Sequence, residues 1–440
     1  MTSSLPTLLQ QIVATHKQGT AIGLPSICSA HPFVLEAAVR HAQETGAVLL
    51  VESTSNQVNQ YGGYTGMTPV TFRQRLMDLA QRHQLPTERI ILGGDHLGPN
   101  PWRRQPAKRA MEQAQTLVRE CVLAGYTKIH LDASMRCADD ATDTPLSIEV
   151  SAARAAALCA AAEEAYAQLP ADAPPVSYVI GTEVPAPGGE QEAASEIHVS
   201  SVADTQATIE LTRQAFLERG LASAWERVIA VVVQPGVEFG DEVIFDYRRD
   251  RAAPLSRFIE GYEHLVYEAH STDYQTRQAL RQMVEDHFAI LKVGPALTFA
   301  FREAVLALTL IEEALVAEEG RSHLRAVLER VMVAHPEHWQ AYYRGTPAQQ
   351  RLARLYSFSD RIRYYWARPE VQAALDILLR NLGARSVPLS LLSQALPVQY
   401  RRVREGRLAR NPRAWIRDKI TEVLADYAAA TGTPHEKREE

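Results

Sequence analysis

The sequence predicts a (β/α)8 TIM barrel with a C-terminal helical extension, and three observations support this fold class. Eight short apolar runs alternate with helical patterns over residues 1–315, which matches such a barrel in count and size. Polar side chains stand at the carboxyl end of almost every run. The chain has 440 residues, 46% of them hydrophobic, and can bury a sizeable core. We therefore expect a barrel domain over residues 1–315 and a helical region over residues 316–432.

The predicted strands are short runs rich in Val, Ile and Leu, and most precede a segment with helical periodicity. In chain order they cover residues 21–27, 47–51, 90–92, 128–131, 176–180, 228–233, 265–269 and 290–293. The helices that follow them cover residues 32–45, 69–83, 106–123, 147–168, 202–219 and 276–287. After about residue 316 the alternation ends and only helices are predicted. Residues 433–440 are expected to form a disordered tail.

The overall composition argues against several classes of partner. A net charge of −6 with mixed signs along the chain creates no basic field, so nucleic acid is not expected to bind. The four cysteines lack C-x-x-C spacing, which argues against a disulfide framework or a thiolate zinc site. The amino-terminal residues lack the pattern of a secretion signal, and no apolar stretch is long enough to span a membrane. A protein of the reducing cytoplasm is predicted.

The third apolar run leads into the segment that most suggests chemistry, I-I-L-G-G-D-H-L-G-P-N-P-W at residues 90–102. Two glycines end the run just before Asp95 and His96, and Gly98 and two prolines keep the following residues irregular. Adjacent residues at a strand end can point to different sides, so one side chain can hold a metal while the other moves a proton. The commoner explanation of a single Asp-His pair is a turn with an Asp cap.

The other predicted strand ends carry similar polar residues. In a barrel of this kind all the carboxyl ends meet at one face, and chemistry is located there. Each residue taken singly has an ordinary explanation, such as a surface acid, a helix cap or a buried histidine. Together they predict a polar metal or acid/base site. The converging residues are Glu52, Asp95, His96, Asp132, Ser134, Glu183, Gln234, His270 and Lys292.

Four segments carry a resemblance to a known family. They are S-A-H-P at residues 29–32, E-S-T-S-N-Q-V-N-Q-Y-G-G-Y-T-G-M at 52–67, G-G-D-H-L-G-P-N-P-W at 93–102 and Y-S-F-S-D-R-I-R-Y-Y-W at 356–366. Over nearly its whole length the sequence resembles the Z-type, so-called non-catalytic subunit family of tagatose-1,6-bisphosphate aldolase. That family is related to the class II aldolases, which are metal-dependent barrels, and some of its members are ketose 4-epimerases. The resemblance implies a divalent metal ion as cofactor.

The class II aldolase pattern carries over to individual residues. It implies that Asp95 is the acid/base aspartate, and Asp132 and Glu183 match further acids of the pattern. The metal ligands expected from the resemblance are His96, Glu183, Gln234 and His270. Gln234 falls where the family pattern has a further histidine. Because an amide oxygen is a harder and weaker donor than an imidazole, Zn²⁺, Mn²⁺, Co²⁺, Ni²⁺ and Mg²⁺ all remain alternatives.

Two departures from the aldolase pattern favour a neutral sugar over a sugar bisphosphate. The segment after His270 lacks the Gly-rich phosphate loop and contains Asp273, whose charge would repel a phosphate dianion. The eighth run, K-V-G-P-A-L-T-F-A-F, lacks the Asn-x-Asp-Thr pattern, although Lys292 can still pair with an anion. The predicted substrate contacts are Glu52, Ser134, Asp273, Lys292, Asp360 and Arg361.

Asp360 and Arg361 belong to the fourth motif, which lies in the C-terminal helical region. Because the family resemblance includes this motif, we expect Ser359, Asp360 or Arg361 to approach the barrel mouth and help close the sugar site. The other basic faces of these helices are expected to be solvated.

The chemistry of ketoses narrows the predicted reaction. The hydrogen on C4 of a 2-ketose is two carbons from the carbonyl group and is not acidic, so simple proton removal cannot invert C4. Oxidation of C4 by a nicotinamide would need a dinucleotide site, and the sequence has no G-x-G-x-x-G between a strand and a helix. Retro-aldol cleavage of C3–C4 followed by re-formation needs a metal that holds O2 and O3 and a carboxylate, such as Asp95 or Glu183, that takes and returns the O4 proton.

The sequence therefore predicts metal-dependent C4 epimerisation of a small-molecule ketohexose, such as the interconversion of D-fructose and D-tagatose. The alternative is a non-catalytic subunit that stabilises a separate class II aldolase chain. Whether the protein forms a homo-oligomer or binds a partner aldolase subunit stays open at this point.

Overall fold

A computed structural model describes residues 7–141, 146–182 and 197–432. Within these ranges eight parallel strands form a closed barrel, which confirms the predicted fold class. The barrel strands are β1 (Leu24–Ile27), β2 (Leu49–Thr54), β3 (Ile90–Leu97), β4 (Lys128–Leu131), β5 (Ser177–Ile180), β6 (Val228–Val233), β9 (Val266–Ala269) and β10 (Phe288–Val293). Around the barrel each strand pairs with the next in this order, and β10 pairs with β1.

Helices surround the barrel and pack their buried faces against the strands. They are α2 (Pro32–Thr45), α3 (Pro69–Arg82), α4 (Ala107–Leu123), α5 (Ile148–Tyr166), α6 (Val202–Glu218), α7 (Ala222–Trp225), α8 (Arg249–Ile259), α9 (Arg277–Glu285) and α10 (Pro295–Leu315). Several begin at side-chain caps: the hydroxyl oxygens of Ser147, Ser201 and Thr276 accept hydrogen bonds from backbone amides in the first turns of α5, α6 and α9. Such caps satisfy amides that have no partner within the helix.

The amino-terminal end of the barrel interior is apolar and closed by a helix. Inward-facing residues of the strands, among them Leu50, Val232 and Ile290, form one buried cluster. Helix α1 (Leu8–Lys17) contributes Leu9 and Val13 to the same cluster. Because α1 covers this end, the barrel interior is accessible only from the carboxyl ends of the strands, within the part of the chain that the structure describes.

Two details of the strands differ from the sequence prediction. Strand β3 does not stop at residue 92 but continues through both glycines to Leu97. Gly93 permits this because a Cβ atom there would lie only 2.9 Å from Cγ of Glu52 on the neighbouring strand. The sequence prediction also missed a short antiparallel hairpin, β7 (Glu238–Phe239) and β8 (Ile244–Phe245), because two-residue strands have too little periodicity to detect.

The C-terminal region is helical, as expected, and it contacts the barrel. Its helices are α11 (Leu324–Ala334), α12 (Pro347–Tyr356), α13 (Pro369–Gly383), α14 (Leu389–Ala395), α15 (Pro397–Arg404) and α16 (Pro412–Thr431). The amide of Gly23 donates to the carbonyl of Thr431, and the hydroxyl of Tyr427 donates to the carbonyl of Thr272, so α16 is tied to the barrel by hydrogen bonds. The domain division at residue 315 stays a prediction.

Two further predictions concern a carboxyl-terminal tail and the absence of membrane-spanning segments. The predicted tail, residues 433–440, lies outside the described residues. Among the helices that the structure describes, none has the length and apolar character needed to cross a membrane.

Candidate active site

The barrel interior carries a charged layer on the carboxyl side of the apolar cluster. Glu52, Lys128, Glu268 and Lys292 are buried there and alternate in sign. Nζ of Lys128 lies 2.8 Å from Oε1 of Glu52 and 2.7 Å from Oε2 of Glu268. Nζ of Lys292 lies 2.9 Å from Oε1 of Glu52. Each buried charge is compensated by its neighbours, so removal of any one would leave an unpaired charge in the core.

Four potential metal ligands adjoin this layer: Asp95, His130, Glu268 and His270, which we call the His/carboxylate cluster. One ligand atom from each lies within 4.8 Å of the others. Nδ1 of His130 lies 2.9 Å from Oδ1 of Asp95, and its Nε2 is buried without a hydrogen-bond partner among the described residues. A carboxylate on one ring nitrogen and a free second nitrogen are typical of metal-binding histidines. The donor set of imidazoles and carboxylates fits a divalent transition metal.

His96 lies against this cluster and is oriented by a carboxylate. Its Nδ1 is 2.8 Å from Oδ2 of Asp132, whose Oδ1 accepts hydrogen bonds from the amide and hydroxyl of Ser134 at 3.0 and 2.6 Å. The centroid of the His96 ring lies 4.8 Å from that of His270 and 5.2 Å from that of His130. Asp132 and Ser134 therefore position His96, and the site contains three neighbouring imidazoles.

Asp95 and His96 both face the site, although they are adjacent in sequence. A regular strand would point their side chains to different sides. The pairing of β3 with β4 shifts register between Gly94 and Leu97, and His96 has a φ of +48°. This irregularity breaks the alternation of a regular strand and leaves Nε2 of His96 only 3.7 Å from Oδ2 of Asp95. Left-handed backbone at a non-glycine residue is costly and is often found at functional sites.

A cavity of about 260 Å³ opens from the carboxyl ends of the strands. Asp95, His96, His270 and Lys292 line its inner wall. Another part of its lining comes from the C-terminal region, with Arg363, Tyr364, Trp366 and Gln372. A cavity of this size suits a small ligand.

The C-terminal motif reaches this cavity, but the residues that line it are not the ones that the sequence suggested. Asp360 is buried and accepts hydrogen bonds from Thr298 at 2.5 Å and from Arg302 at 2.8 Å, so it anchors the segment on α10. Arg361 packs over the ring of Tyr342. The predicted substrate roles of Asp360 and Arg361 remain untested, and Arg363 and Tyr364 are the nearby residues that line the cavity.

Asp273 also lines the cavity, where it faces the first turn of α10. Its Oδ1 accepts hydrogen bonds from the amides of Gly294 at 3.0 Å and Ala296 at 2.8 Å. Burial raises the pKa of Asp273 to about 6, although these amides oppose the rise. The carboxylate thus occupies the helix amides that could otherwise bind a phosphate group.

Of the predicted metal ligands, His270 belongs to the His/carboxylate cluster, His96 lies against it, and Gln234 is engaged elsewhere. Oε1 of Gln234 accepts hydrogen bonds from the amides of Gly236 at 2.8 Å and Val237 at 3.1 Å, so it is engaged by the backbone that follows β6. Glu183 lies outside the described residues. Their metal roles, and the catalytic role of Glu183, remain predictions.

Sequence reasoning missed His130, Glu268 and Lys128, although a signal for them exists. Lys128 and His130 stand two residues apart in β4, and Glu268 and His270 are spaced in the same way at the end of β9. Residues two apart in a strand share one face, so a charged pair at this spacing in an apolar run marks an inward-facing polar layer. Lys128, His130 and Glu268 lie within their strands and not at the carboxyl ends of the strands.

The electrostatics of the site keep its groups in distinct protonation states. Burial alone would raise the pKa of Asp95, but His96, Lys292 and the hydrogen bond with His130 outweigh it and hold the pKa well below its usual range. Burial would lower the pKa of Lys292, but Asp95 and the other acids raise it. Burial lowers the pKa of His270 to about 4, which keeps this imidazole neutral. A neutral imidazole is the form that binds a metal.

The fold and the site together define a (β/α)8 barrel protein with a candidate metal site: a closed parallel barrel whose strand ends surround a buried group of imidazoles and carboxylates in front of a small cavity. The chain belongs to the family described as D-tagatose-1,6-bisphosphate aldolase subunit GatZ/KbaZ-like, whose model matches residues 9–432. This match confirms the resemblance found in the sequence.

Solved structures include a similar protein described as a probable tagatose 6 phosphate kinase from Sinorhizobium meliloti 1021. It is 46% identical, with a TM-score of 0.85, and the alignment covers 93% of this chain and 100% of that one. The YdjI aldolase from Escherichia coli K12 is 9% identical, with a TM-score of 0.42 over 84% of this chain and 95% of that one. A fructose-bisphosphate aldolase from Campylobacter jejuni is 12% identical, with a TM-score of 0.46, and the alignment covers 88% of this chain and 94% of that one. The two aldolase similarities are too low to support an argument.

Proposed function

We propose that this chain is a metal-dependent 4-epimerase of a ketohexose, which interconverts sugars such as D-fructose and D-tagatose by cleaving and re-forming the C3–C4 bond. The observation that supports this most is the His/carboxylate cluster beside a cavity of small-molecule size. Burial of imidazoles and carboxylates costs free energy. A subunit that only stabilises another chain has no need of this arrangement at the carboxyl ends of its strands.

The residues available for metal binding fit a divalent ion. His130, Glu268 and His270 would hold it, because each offers a ligand atom to the cluster and the Nε2 atom of His130 has no other partner among the described residues. His96, Gln234 and Glu183 remain proposed ligands from the family pattern. A bound metal would supply Lewis-acid stabilisation of the negative charge that develops on the ketose when C3–C4 breaks.

Asp95 is the best-placed described carboxylate to handle the proton of O4. It lines the cavity, whereas Glu268 of the same cluster does not. Oδ1 of Asp95 lies 3.0 Å from Nζ of Lys292, and this contact favours the ionised carboxylate that a general base requires. Lys292 also lines the cavity and can stabilise negative charge on a bound sugar.

The surroundings of Asp273 support a substrate without a phosphate group at this end of the cavity. Its carboxylate is bonded to the amides of Gly294 and Ala296 and blocks them from a phosphate. A phosphate dianion would also meet a like charge there. We therefore assign free ketohexose as the preferred substrate class.

A second candidate function is supported by the family description, in which the chain is an aldolase subunit. In that case the protein would stabilise a separate catalytic aldolase chain and would not itself convert sugar. The two candidates differ in what the isolated chain does when it is given a ketohexose and a divalent metal.

The decisive experiment uses the isolated chain, a divalent metal and fructose deuterated at C4, followed by sugar chromatography and mass spectrometry. Retro-aldol chemistry leaves the C4 hydrogen on the aldehyde carbon, so tagatose should retain the label with only a small secondary isotope effect. Traces of glyceraldehyde and dihydroxyacetone should appear. Asp95→Asn should suppress both cleavage and epimerisation about 10²-fold or more. Asp426→Asn, which changes a surface acid, is the matched control.

Other outcomes would contradict the proposal. A large primary isotope effect or loss of label would indicate oxidation at C4. No conversion by the isolated chain with any of the five metals, together with activation of a separate aldolase chain, would favour the subunit function. Near-normal turnover by Asp95→Asn would show that another group handles the O4 proton.

A further inference from the structure

Inversion at C4 by bond cleavage imposes a geometric demand on the site. In both epimers C4 is bonded to the same face of the enediolate, because C3 keeps its configuration, but O4 and the hydrogen or carbon substituent of C4 occupy exchanged positions. The aldehyde must therefore turn over between cleavage and re-formation of C3–C4. Because a proton is transferred only within hydrogen-bond reach, one group cannot readily serve O4 in both positions. The epimerase proposed above needs a second proton-transfer group at another position in the cavity wall.

Tyr364 enters the cavity wall from a different part of the fold. Asp95 lies at the carboxyl end of a barrel strand, whereas Tyr364 belongs to the C-terminal segment that Asp360 anchors on α10, and both line the same cavity. The ring of Tyr364 is held by two aromatic neighbours. It stacks on His338 with ring centroids 4.7 Å apart and meets Tyr64 edge to face at 4.8 Å. The phenol is therefore held in a defined position in the cavity wall.

The surroundings of this phenol favour proton transfer. Nη2 of Arg363 donates a hydrogen bond to the Tyr364 hydroxyl oxygen at 3.0 Å, and the guanidinium carbon of Arg361 lies 5.8 Å from the ring centroid. Burial opposes ionisation, but Arg363 and Arg361 outweigh it and hold the pKa of Tyr364 below its ordinary value. A phenol with a lowered pKa transfers its proton more readily near neutral pH.

The other titratable groups of this wall are less suited to the task. Burial raises the pKa of Tyr64, so its phenol holds its proton more tightly than that of Tyr364. His31 packs at a tilt against Phe301 with ring centroids 4.2 Å apart, and burial lowers the pKa of His31 to about 3. Asp273 accepts two backbone hydrogen bonds through one carboxylate oxygen. Tyr364 is the group whose environment points to proton exchange.

We propose that Tyr364 is the second acid/base of the epimerisation and serves O4 when it points away from Asp95; this inference rests on the proposed function. With fructose as substrate, the Asp95 carboxylate takes the O4 proton, the O4 electron pair forms the C4 carbonyl, and the C3–C4 electron pair passes to the enediolate. After the aldehyde turns over, C3 attacks the other face of C4 and the new alkoxide takes the Tyr364 proton. Exchange with water returns a proton to Tyr364 and removes one from Asp95. The reverse reaction exchanges the two roles.

The test is Tyr364→Phe in the full-length metal-loaded protein, supplied with dihydroxyacetone and D-glyceraldehyde. The wild-type protein should form both fructose and tagatose. The variant should form one of them at near wild-type rate and the other at least about 10²-fold more slowly, because only one product needs the phenol. Cleavage of the two ketoses should show the same asymmetry. Tyr342→Phe, which removes a phenol hydroxyl outside the cavity lining, should leave the product ratio unchanged.

The possible results distinguish a failure of the role proposed for Tyr364 from a failure of the proposed epimerase function. If Tyr364→Phe lowers both products equally, or neither, Tyr364 has no epimer-specific role and this inference is overturned while the proposed function stands. If the wild-type protein forms and cleaves neither ketose, the proposed function fails and this inference fails with it. Phe retains the ring that contacts His338 and Tyr64, and a melting curve checks that the variant is folded. If Tyr364→Phe does not fold, Tyr364→His is tested in its place. It keeps an aromatic ring and a transferable proton, so it should form both ketoses, with the product that needs the phenol formed more slowly than by the wild-type protein.

Discussion

Asp95 and Asp273 show how the position of a carboxylate within one cavity decides what it can do. Asp95 lies beside Lys292 and His130, which favour its ionised form. Asp273 lies beside backbone amides of Gly294 and Ala296 and is removed from the cluster, and burial raises its pKa to about 6. The first is suited to accept a proton from the substrate. The second is suited to discriminate between neutral and phosphorylated substrates.

The residue-scale prediction concerns substrate charge. We expect the wild-type protein to turn over free ketohexose with a higher kcat/KM than its 1,6-bisphosphate, and Asp273→Gly should reduce that preference because it removes the charge and releases two amides. Asp273→Asn is the matched control, since it removes the charge but keeps an oxygen that can accept from the same amides. Rates with fructose and fructose 1,6-bisphosphate provide the measurement. A wild-type protein that cleaves the bisphosphate efficiently and ignores free sugar would overturn this prediction.

At the scale of elements, α1 is a helix whose attachment depends on histidine protonation. Nδ1 of His16 lies 2.6 Å from the carbonyl oxygen of Ile22 and must donate to it, so Nε2 accepts from Nδ1 of His287 at 2.9 Å. A proton on Nε2 of His16 would remove the acceptor that Nδ1 of His287 donates to. Burial lowers the pKa of His16 to about 4 and also lowers the pKa of His287. Both rings are therefore neutral in the folded protein at neutral pH.

The element-scale prediction is that part of the stability is lost as the pH falls from about 6.5 towards 4. In this range the unfolded chain binds protons that the folded protein excludes, so the free energy of unfolding decreases with decreasing pH. For His16 alone the loss between pH 7 and 5 should be on the order of 2 kcal/mol. This loss is measured by urea unfolding of the wild-type protein and of His16→Gln at pH 7 and pH 5. The free energy of unfolding should decrease less in the variant than in the wild-type protein. His264→Gln, at an exposed histidine, is the control; equal pH dependence in all three proteins would refute the prediction.

At the scale of the whole molecule, the scaffold is held together independently of the proposed metal. The proposed ligands come from several strands, which are already joined by a closed ring of backbone hydrogen bonds. Apolar side chains fill one end of the barrel and the helix interfaces, and the charged layer is compensated internally. Such a barrel does not need a bound ion to fold, in contrast to small metal-dependent domains.

The whole-molecule prediction is that a chelator abolishes activity without unfolding the protein. The circular dichroism spectrum should stay almost unchanged, since the strands and helices keep their hydrogen bonds and apolar contacts. Activity should return when a divalent metal is added back. Full activity in protein shown by elemental analysis to be metal-free would remove the metal from the proposed function.

The sequence alone was sufficient to predict the eight strands, their order along the chain and the family. Each strand is a local apolar run, and its end is marked by a change to polar, Gly or Pro residues, so neighbouring residues contain the information. The same reasoning found Asp95, His96, His270 and Lys292, because barrel geometry brings all strand ends to one face. Their presence in the cavity wall agrees with that expectation, while their chemical roles stay predictions.

The detailed contacts of the site became evident only in the folded molecule. His130 and Glu268 join the cluster from within their strands, and Oε1 of Gln234 bonds to the backbone beyond β6. Tyr364 lines the same cavity as Asp95, although the two residues lie far apart in sequence, because the C-terminal segment docks on α10. Such contacts depend on strand register, the bulge in β3 and helix docking, which are set by long-range packing. A local sequence pattern contains no measure of distance between segments so far apart along the chain.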